Sequence, residues 1–513
     1  MKIVTVEQMR TLEKEADARG LSYRQMMINA GREIAFHVLV RFYDCENRVV
    51  LGLVGSGNNG GDTLIALTNL IDQGWKAASY LVKPRAKEDE WLTTFQYKGG
   101  KILYAEMDEG FVKLEEWLEK AEVLLDGVLG TGVHLPLEKT VEDVLGFVSA
   151  YEERPYTVAV DCPSGVDCES GQAAAQCIPA DLTLCMQAVK TGLLCFPAFA
   201  FAGEIGLAEL DFPEDLSTWE SVHDQAVDTL LVSNWLPKRA LDAHKGDFGT
   251  LMMATGCGHY PGAVLLAGRA AYRTGVGLLR IAIPSSMQAM LAGHLPEATW
   301  LPVPEEEGFF SAKSAATIQK NMDKVNVCLV GPGLGQEGAV ADFIQKLLAI
   351  PKLPPLVVDA DGLRHLARIT KWHEKLPKGS VLTPHPGEMS ALTGLTVESI
   401  QQDRMETARK FAIKWGVVVV LKGALTMVAS PEGQVMVVPI ATPALAKAGT
   451  GDVLAGMLAA LIAQGMESFH AASAAAFIHA HAGQLAAEEL NTMVSVLASD
   501  VIRAIPQVFS LLE

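Results

Sequence analysis

The sequence predicts an α/β protein of two domains, each with three layers in which a largely parallel sheet lies between helices. Short β-branched runs alternate with helical patterns along almost the whole chain, as in parallel sheets whose strands are joined by helices. At 513 residues the chain is too long for one ordinary core, and residues 211–240 interrupt the alternation with an acidic and then irregular stretch. We therefore expect one domain over residues 1–215 and another over residues 235–513.

In each half the expected strands are short apolar runs with helical patterns between them. In the first half they are Val49–Val54, Ala78–Val82, Val123–Leu125, Thr157–Val160 and Leu182–Met186, with helices that include Asp62–Gln73 and Gly110–Lys120. In the second half they are Thr250–Ala254, Leu278–Ile283, Val327–Val330, Leu356–Val358, Val381–Thr383 and Val417–Leu421, with a helix near Gly262–Thr274 and alanine-rich helices from Asp452 onward.

The bulk composition excludes several classes of protein. The chain is 49% hydrophobic and 20% charged, which indicates a globular protein, and its formal net charge of −18 argues against a nucleic-acid or membrane-surface binder. Eight cysteines include no C-x-x-C pair, and no histidine cluster has zinc-like spacing. The N-terminus lacks the apolar core of a signal peptide, and no apolar run is long enough to span a bilayer. We expect a cytoplasmic protein with reduced thiols and no membrane or nucleic-acid partner.

Residues 55–63, which read GSGNNGGDT, follow the first long strand and match the G-x-G-x-x-G pattern of dinucleotide sites. Such a site needs an acidic residue about twenty positions later, but Lys83 and Arg85 stand there, and either could only meet a phosphate. Asp62 also puts a carboxylate close to where a pyrophosphate would bind. The segment therefore disfavours an ordinary nicotinamide-cofactor site. The alternative is a glycine turn that only joins strand to helix.

Two further polar loops follow strands of the same expected sheet. Asp126–His134 reads DGVLGTGVH, and Asp161–Asp167 reads DCPSGVD. In an open parallel sheet the ligand lies beyond the carboxyl ends of the strands, which is where all three loops fall. A single Asp at such a place would equally well cap a helix or a turn, but three converging loops favour a binding site.

These loops resemble the NAD(P)H-hydrate epimerase domain, which has a Rossmann-like fold, and the resemblance covers roughly residues 1–215. The matching segments are Asn58–Asp62, Asp126 with Gly130-Thr131-Gly132, Asp161-x-Pro163-Ser164-Gly165 and Lys190-Thr191-Gly192-Leu193. The chain departs from the usual pattern of the family at Thr63, where Gly is usual, at Val133 and His134, where Leu and Arg are frequent, and at Ile28, where Glu is frequent.

The resemblance implies roles for these residues. Asp161 would contact the substrate and act as the catalytic acid or base. A potassium ion would be held by Asn59, Asp126 and Ser164, whose oxygen atoms suit an alkali cation. The substrate pocket would be lined by Asn58, Asn59, Gly60, Gly61, Asp62, Gly130, Thr131, Gly132, Val133, His134, Leu135 and Pro136. For His134, an ordinary surface histidine is the alternative.

The sharpest feature of the second half is Lys447–Gly456, which reads KAGTGDVLAG. A glycine turn opens onto a helix there, and the N–H groups of such a helix start would hold a phosphoryl group. Asp452 in the first turn would be placed to take a proton from a hydroxyl group. The alternative is an Asp that only caps the helix, although the two glycines before it have no capping purpose.

Other polar segments follow further strands of this half. Lys422–Thr426 (KGALT) would let the lysine reach nucleotide phosphates, and in Thr383–Glu388 (TPHPGE) prolines flank His385. A buried, hydrogen-bonded histidine is the alternative for His385. Gly331–Gly335 ends another strand, and the acids of Val358–Asp361 would contact a metal or only cap turns.

Together these segments resemble the ADP/ATP-dependent NAD(P)H-hydrate dehydratase domain of the ribokinase-like superfamily, from roughly residue 235 to the C-terminus. His244–Gly249, Tyr260–Ala263 and Pro296-Glu297 also match. The resemblance implies that the hydrated nicotinamide nucleotide is contacted by Ala263, Gly335, His385 and Asp452. It implies that the adenine nucleotide is contacted by Lys422, Gly423, Ala424, Leu425, Thr426 and Gly451.

The two resemblances imply a bifunctional repair enzyme for damaged nicotinamide nucleotides. The first domain would interconvert the R and S forms of the hydrates NADHX and NADPHX, and the second would dehydrate the S form with ADP or ATP, with Mg²⁺ accompanying the nucleotide. Asp452 would deprotonate the ring hydroxyl, which attacks the terminal phosphoryl group while Lys422 stabilises its charge, and the phosphate ester would then depart. A homo-oligomer is expected.

Two alternative functions stay open. In one, the second domain is a small-molecule kinase and the first domain is a non-catalytic ligand-binding module. In the other, the first domain is a binding module like those in RNA-decapping scaffolds. The joint presence of Asp126, Asp161 and Ser164 argues against the latter, and so does the lack of a basic or disordered extension.

Overall fold

A computed structural model describes residues 1–86 and 88–513 of the chain. The chain forms two compact units, Met1–Asp224 and Gln225–Glu513. Residues 216–234, which lie between the two expected domains, include short helices and a short strand.

Nine strands and eight α-helices are described in the first unit. Its strands are β1 (Ile3–Val4), β2 (Val49–Val54), β3 (Lys76–Leu81), β4 (Lys101–Tyr104), β5 (Val123–Gly127), β6 (Tyr156–Val160), β7 (Leu182–Met186), β8 (Val189–Lys190) and β9 (Glu204–Ala208). Its helices are α1 (Val6–Ala18), α2 (Tyr23–Arg41), α3 (Asn58–Asp72), α4 (Glu90–Tyr97), α5 (Val112–Leu118), α6 (Lys139–Ser149), α7 (Phe199–Ala202) and α8 (Ser217–Ser221). Short 3₁₀ segments occupy Ala105–Met107, Glu109–Phe111 and Thr191–Leu194.

Seven of these strands form one wholly parallel sheet in the order β4-β3-β2-β5-β6-β7-β9. Because β2, β5 and β6 are neighbours, the loops that follow them meet at one edge of the sheet. A separate two-stranded sheet pairs β1 with β8, with Ile3 opposite Val189 and Val4 opposite Lys190. This pairing brings the N-terminal segment to the same region of the unit as Lys190.

The main sheet of the first unit is covered on both faces. In β2, Val50 and Val54 belong to an apolar cluster with residues of α1, α2 and α3. Leu51 and Leu53 belong to a second cluster with residues of α5 and α6, because successive side chains of a strand point to opposite faces. The predicted α/β class with helix layers on both sides of a sheet is confirmed here.

Twelve strands and twelve α-helices are described in the second unit. Its strands are β10 (Gln225–Ala226), β11 (Thr250–Ala254), β12 (Leu278–Pro284), β13 (Thr299–Val303), β14 (Glu305–Glu306), β15 (Phe309–Phe310), β16 (Val327–Val330), β17 (Leu356–Val358), β18 (Val381–Leu382), β19 (Val418–Leu421), β20 (Met427–Ala429) and β21 (Val435–Val437). Its helices are α9 (Thr229–Trp235), α10 (Pro261–Arg273), α11 (Gln288–Leu291), α12 (Ser314–Lys320), α13 (Gly338–Leu347), α14 (Asp361–Leu366), α15 (Pro386–Thr393), α16 (Val397–Gln402), α17 (Arg404–Trp415), α18 (Thr450–Ala463), α19 (Ser468–Leu490) and α20 (Ala498–Leu512). Short 3₁₀ segments occupy Ser285–Met287, Ala292–His294, Trp372–Lys375 and Pro443–Leu445.

Ten strands of the second unit form a mixed sheet in the order β10-β21-β20-β19-β18-β17-β16-β11-β12-β13. The run from β19 to β13 is parallel, whereas β20 is antiparallel to both β19 and β21. The predicted largely parallel sheet is therefore confirmed, and the antiparallel β20–β21 hairpin is an addition that was not expected. The loops after β16, β17, β18 and β19 all leave the same edge of this sheet.

Helices α10, α18, α19 and α20 share one large apolar cluster with the strands of this sheet. Gly456 of α18 lets that helix approach α10 closely, since a Cβ atom there would lie 2.2 Å from the carbonyl oxygen of Ala267. Across residues 1–86 and 88–513, no helix combines the length and apolarity that crossing a bilayer requires.

The expected strands match observed strands to within two residues at each end. The helix expected to begin at Asp62 begins at Asn58, because the residues of the glycine-rich segment already form its first turn. The helix expected over Gly110–Lys120 spans only Val112–Leu118, because Gly110 has a φ of 72° that breaks the helical path. The strands that were not expected from the sequence are β1, β4, β8, β9, β10, β13, β14, β15, β20 and β21.

Candidate active sites

A cavity of about 870 Å³ lies in the first unit where β2, β5 and β6 end. Seven residues assigned to the substrate pocket from the sequence line it: Asn58, Asn59, Asp62, Gly130, Thr131, Gly132 and Asp161. Further walls come from α1 and α2, including Met9 and Glu13 of the first helix and Met27 of the second. The three predicted loops therefore converge on one cavity.

The other residues assigned to this pocket do not line the cavity. Gly60 and Gly61 lie against neighbouring backbone and side chains, because a Cβ atom on either would lie within 2.8 Å of another atom. The loop of Val133, His134, Leu135 and Pro136 is outside the lining residues, and His134 is exposed to solvent. For His134 the structure favours the surface alternative.

Arg85 holds the glycine turn and is not available to a bound phosphate. Its Nη1 donates to the carbonyl oxygens of Gly55 and Gly57 at 2.6 and 3.0 Å, and its Nε donates to Asp89 at 2.8 Å. The side chain is only 7% exposed. The expectation that Arg85 could meet a phosphate is therefore wrong, whereas Lys83 does line the cavity.

Asp161 and Lys190 form a buried ion pair at the cavity. Nζ of the fully buried Lys190 donates to Oδ1 of Asp161 and, at 3.0 Å, to the carbonyl oxygen of Met186, whose own N–H donates to Oδ1 at 3.0 Å. Burial alone would lower the pKa of Lys190, but the charge of Asp161 outweighs it and holds this pKa above its usual range. Asp161 has a φ of 67°, a conformation that is uncommon outside glycine and that clusters at functional sites.

Two more carboxyl groups, those of Asp62 and Glu13, border the same cavity. Burial raises the pKa of Asp62 well above its usual value, and the charges of Asp161 and Glu13 raise it further. Burial also raises the pKa of Glu13, against the opposing effect of Lys190. Within the described part of the chain, neither carboxylate has a hydrogen bond or an ion-pair partner within 4 Å. Both are therefore free to interact with a bound molecule.

Asn59, Asp126 and Ser164, the predicted ion ligands, lie together at the ends of the three strands. Ser164 donates to Asp126 from its hydroxyl at 2.6 Å and from its backbone N–H at 2.8 Å, and Asn59 donates to the carbonyl oxygens of Leu129 and Val160 at 2.9 and 2.7 Å. Burial raises the pKa of the fully buried Asp126, and no cationic side chain among the described residues pairs with it.

This oxygen-rich group suits an alkali cation and not a transition metal. A buried carboxylate, a hydroxyl and an amide are hard oxygen ligands, and a monovalent cation would supply the positive charge that Asp126 lacks. Across the described residues, no three His, Cys, Asp or Glu side chains cluster as a metal site. The residues present therefore fit the predicted potassium ion.

In the second unit, Asp452 lies in the first turn of α18, after Gly449 with a φ of 91°. Burial raises the pKa of Asp452 to about 7, the charges of Asp359 and Asp361 raise it, and Lys422 opposes them. Gly449 occupies the helix cap position and no side chain caps this turn. Asp452 is therefore a first-turn acid of this helix and not its side-chain cap.

Lys422 joins the carboxylates of this region. Its Nζ lies 2.5 Å from Oδ1 of Asp359 and 3.7 Å from Oε2 of Glu388. Burial alone would lower the pKa of Lys422, but the charges of Asp359 and Glu388 outweigh it and raise this pKa. Gly451 is a neighbour as well, since a Cβ atom there would lie 3.8 Å from Nζ. The loops after β17, β18 and β19 thus meet the start of α18 at Lys422.

His385 caps α15 and is not a buried histidine. Its Nδ1 accepts hydrogen bonds from the backbone N–H groups of Gly387 and Glu388 at 3.0 and 3.4 Å, and its Nε2 lies 3.2 Å from Oε1 of Glu388. The side chain is 46% exposed. Burial would raise the pKa of Glu388, but His385 and Lys422 hold it below its usual value.

The remaining residues assigned to the second site fall into two groups. Gly335 donates its N–H to Asp361 at 2.9 Å, and Ala263 lies in α10, where its Cβ would be 2.9 Å from one added to Gly333. The loop of Gly423, Ala424, Leu425 and Thr426 follows Lys422, with the Thr426 hydroxyl donating to the Gly423 carbonyl at 2.9 Å. The side chain of Leu425 is buried, so only its backbone could contact a nucleotide.

Sequence analysis did not assign a role to Glu13, Lys190 or Glu388. Lys190 stands in a quoted segment, but its partner Asp161 is 29 residues away and no local pattern pairs them. Glu13 has a weak signal, since it follows the cavity-lining Met9 and Arg10 at helical spacing. Glu388 stands three residues after His385, the spacing of a capping box.

Comparisons with known proteins cover both units. The family model described as YjeF-related protein N-terminus matches residues 23–192, and the one described as NAD(P)H-hydrate dehydratase matches residues 251–507. The crystal structure of the ADP/ATP-dependent NAD(P)H-hydrate dehydratase from Bacillus subtilis co-crystallised with ATP/Mg²⁺ is 32% identical, covering 56% of this chain and 99% of that chain with a TM-score of 0.49.

Two curated relatives match along the whole length. The bifunctional NAD(P)H-hydrate repair enzyme Nnr of Moorella thermoacetica is 33% identical over 100% of this chain and 97% of its own. The enzyme of that name from Escherichia coli K12 is 31% identical over 97% of this chain and 92% of its own. With both units matched in order by such relatives, the chain belongs to the family of bifunctional NAD(P)H-hydrate repair enzymes.

Proposed function

We propose that the first unit interconverts the R and S epimers of NADHX and NADPHX, and that the second unit dehydrates the S epimer with ADP or ATP. The observation that carries the proposal is Asp452, a carboxyl at a helix start whose pKa of about 7 lets it accept a proton near neutral pH. It lies among Lys422, Asp359 and Asp361, where a phosphoryl group and its counter-ion would also bind.

In the second unit, Asp452 takes the proton of the ring hydroxyl. The hydroxyl oxygen attacks the terminal phosphorus of ADP and AMP leaves, so that the hydroxyl becomes a phosphate ester. The carbon–oxygen bond then breaks, inorganic phosphate leaves, and loss of a proton from the neighbouring carbon restores the ring double bond. Phosphate is a far better leaving group than hydroxide, which is why the nucleotide is consumed.

The substrates of this step are assigned to two groups of residues. Ala263, Gly335 and His385 would contact the hydrated nucleotide, while Gly451 and the Lys422–Thr426 loop would contact the adenine nucleotide. The N–H groups of Gly451 and Asp452 at the start of α18 and the Lys422 ammonium support the assignment, because both stabilise charge on a transferring phosphoryl group. Mg²⁺ bound with the nucleotide would neutralise phosphate charge, and Asp359 and Asp361, whose charges act on Asp452, are acids that could hold it.

In the first unit, Asp161 acts directly on the substrate. Its ion pair with Lys190 holds the carboxylate in place, where it can accept a proton from the substrate hydroxyl or from water. Asn58, Asn59, Asp62 and Gly130–Gly132 would hold the nucleotide, and a potassium ion at Asn59, Asp126 and Ser164 would neutralise Asp126 and fix the loops around the cavity.

An epimer-resolved assay of hydrated NADH tests the proposal. A mixture of R and S forms is incubated with the protein and ADP or ATP, and each form is followed by chromatography while NADH is followed by absorbance. Loss of both forms with one AMP per NADH is expected with ADP. If only the S form is converted to NADH and the R form persists, the first unit is not an epimerase. A stable phosphate ester without NADH would indicate the small-molecule kinase of the alternative reading.

Three further expectations stay predictions. Size-exclusion chromatography with light scattering tests the expected homo-oligomer. The expected cytoplasmic location, and the absence of nucleic-acid partners that the net charge of −18 favours, are tested by fractionation and by a binding assay with DNA and RNA.

A further inference from the structure

Helix α1 presents one face to the cavity of the first unit. Val6, Met9, Arg10 and Glu13 line the cavity at positions three, four and seven residues apart, which is one stripe of a helix. The pairing of β1 with β8 fixes this helix beside the ion pair of Lys190, since Val4 stands opposite Lys190 in the ladder. The family match of this unit begins only at residue 23, after this helix.

Epimerisation of the hydrate needs two proton transfers. Hydration of an enamine places the hydroxyl on the carbon bonded to the ring nitrogen. One route to inversion of that carbon is departure of the hydroxyl as water, followed by addition of a water molecule from the other face. A proton donor assists departure and a proton acceptor assists addition, and carboxyl groups on different walls of the cavity can act on opposite faces of the ring.

The cavity contains the charges for such a division. Asp161 is ion-paired with Lys190, whereas Asp62 and Glu13 have no ion-pair partner within 4 Å among the described residues. Burial raises the pKa of both acids and the charge of Asp161 adds to it, while Lys190 and Arg10 oppose the rise at Glu13. The titratable and charged groups that face Glu13 are Arg10, Tyr23, Asp62, Asp161 and Lys190. An ion-paired carboxylate such as Asp161 beside a second carboxyl group whose pKa is raised by burial is typical of an acid–base pair.

Glu13 and Asp62 differ in access to solvent. Asp62 is 8% exposed and lies on α3, which belongs to the sheet edge that also carries Asp161. Glu13 is only partly buried and comes from α1, a different wall of the cavity. A proton donor must be recharged after each turnover, and the more accessible acid can exchange its proton with water.

We propose that Glu13 is the general acid of the first unit and the partner of Asp161 in epimerisation. This assignment rests on the proposed epimerase function. Glu13 donates its proton to the substrate hydroxyl, the carbon–oxygen bond breaks, water departs, and the lone pair of the ring nitrogen forms a carbon–nitrogen double bond. Water adds to the opposite face, Asp161 takes its proton, and the electron pair returns to nitrogen. Solvent then returns a proton to Glu13 and removes one from Asp161, and the reverse direction uses the same groups.

Substitution of Glu13 tests the assignment in the full-length protein. Glu13→Gln should lower kcat for R-to-S conversion by about 10²–10⁴-fold, while KM changes by less than about threefold. The wild-type rate should fall at high pH as Glu13 loses its proton. Glu13→Asp should retain that fall and part of the rate, whereas the Gln variant should lack it.

Matched controls separate chemistry from folding. Glu7→Gln removes an exposed carboxylate from the same helix and should leave epimerisation unchanged. Dehydration of purified S epimer, catalysed by the other unit, normalises the amount of active chain, and the melting temperature reports the fold of the first unit. If Glu13→Gln epimerises at the wild-type rate with the wild-type pH profile, the assignment is wrong. If the Gln variant melts early but Glu13→Asp is folded and shows no pH limb, it is also wrong. If the wild type does not convert R to S, the proposed epimerase function itself fails, and the assignment with it.

Discussion

Nζ of Lys422 lies 2.5 Å from Oδ1 of Asp359, and the same oxygen accepts the hydroxyl of Thr383 at 2.7 Å. Asp359, which directly follows β17, therefore holds the lysine that faces the start of α18. Asp359 also raises the pKa of Asp452 through repulsion, while Lys422 lowers it. One carboxylate thus influences both the phosphate-binding cation and the proposed base.

The first prediction concerns the pH dependence of dehydration. A base must be deprotonated to act, so kcat/KM for S-epimer dehydration should rise with pH through about 7, the pKa of Asp452. Asp359→Asn removes a repelling charge and should move this midpoint down by about 1 unit. Initial rates between pH 5 and 9 measure the shift. A midpoint that moves upward or stays in place would contradict the stated coupling.

The second prediction compares the contribution of Asp452 to catalysis with its effect on the stability of the fold. Asp452→Asn should lower dehydration about 10²–10⁴-fold and leave epimerisation intact. The folded-state pKa of about 7 lies above the usual 3.8, so the carboxyl favours the folded state at low pH and loses this contribution as pH rises through about 7. The variant should therefore gain stability relative to the wild type at pH 8.5 more than at pH 5. Denaturant unfolding at both pH values measures the difference.

The third prediction concerns the buried pair of Asp161 and Lys190. Lys190→Met leaves Asp161 without its cation and should lower the free energy of unfolding of the first unit by about 3–5 kcal/mol. Epimerisation should be lost, whereas dehydration of purified S epimer should persist. Restoring a charge with Lys190→Arg should recover less than half of the stability, because the larger guanidinium does not fit the fully buried position. Equal stability of the Met variant and the wild type would show that the pair contributes nothing.

The fourth prediction concerns the oxygen group around Asp126. Potassium should raise the melting temperature of the first unit relative to lithium at equal ionic strength. At a potassium concentration of 100 times Kd, the free energy of unfolding should increase by about 2.7 kcal/mol. Asp126→Asn or Ser164→Ala should abolish this difference. Asp143→Asn, which changes an exposed ion-paired carboxylate of α6, should preserve it. A potassium effect that survives in Asp126→Asn would place the ion elsewhere.

The fifth prediction concerns Thr63, which stands where the family usually has Gly. Its buried hydroxyl donates to the carbonyl oxygen of Asn59 at 2.8 Å, and it does not line the cavity. Thr63→Val keeps the shape and removes that hydrogen bond, so it should cost about 1 kcal/mol of stability. The KM of epimerisation should stay within about twofold. A large change in KM would show that Thr63 shapes the pocket after all.

The sequence predicted the parts of each unit that depend on local pattern. Buried runs such as Val49–Val54 and Val327–Val330 are continuous and β-branched, and the parallel arrangement follows from the helices between them. The converging loops could be predicted for the same reason, since strand ends of a parallel sheet meet at one edge. The strands β20 and β21 were missed because each has three residues and no helix separates them.

Side-chain partnerships were harder to predict than positions. From the sequence alone, Arg85 was expected to be able to contact a phosphate. In the fold, three hydrogen bonds to Gly55, Gly57 and Asp89 occupy its guanidinium group. His385 was expected either in a site or in a core, and its actual cap position depends on how the chain leaves β18. Such pairings depend on tertiary approach, which no residue spacing within one segment encodes.

The two-residue ladder between β1 and β8 has a consequence for where the first unit must begin. A chain shortened to begin at residue 23, where the match to the family model starts, would keep every glycine loop and the ion ligands. It would lose the strand that lies against Lys190 and the helix wall that carries Glu13. The cavity would then open to water, and the buried lysine with it. The smallest functional form of the first unit is thus longer than the segment that the family model matches. Its first eighteen residues contribute to the wall of the cavity.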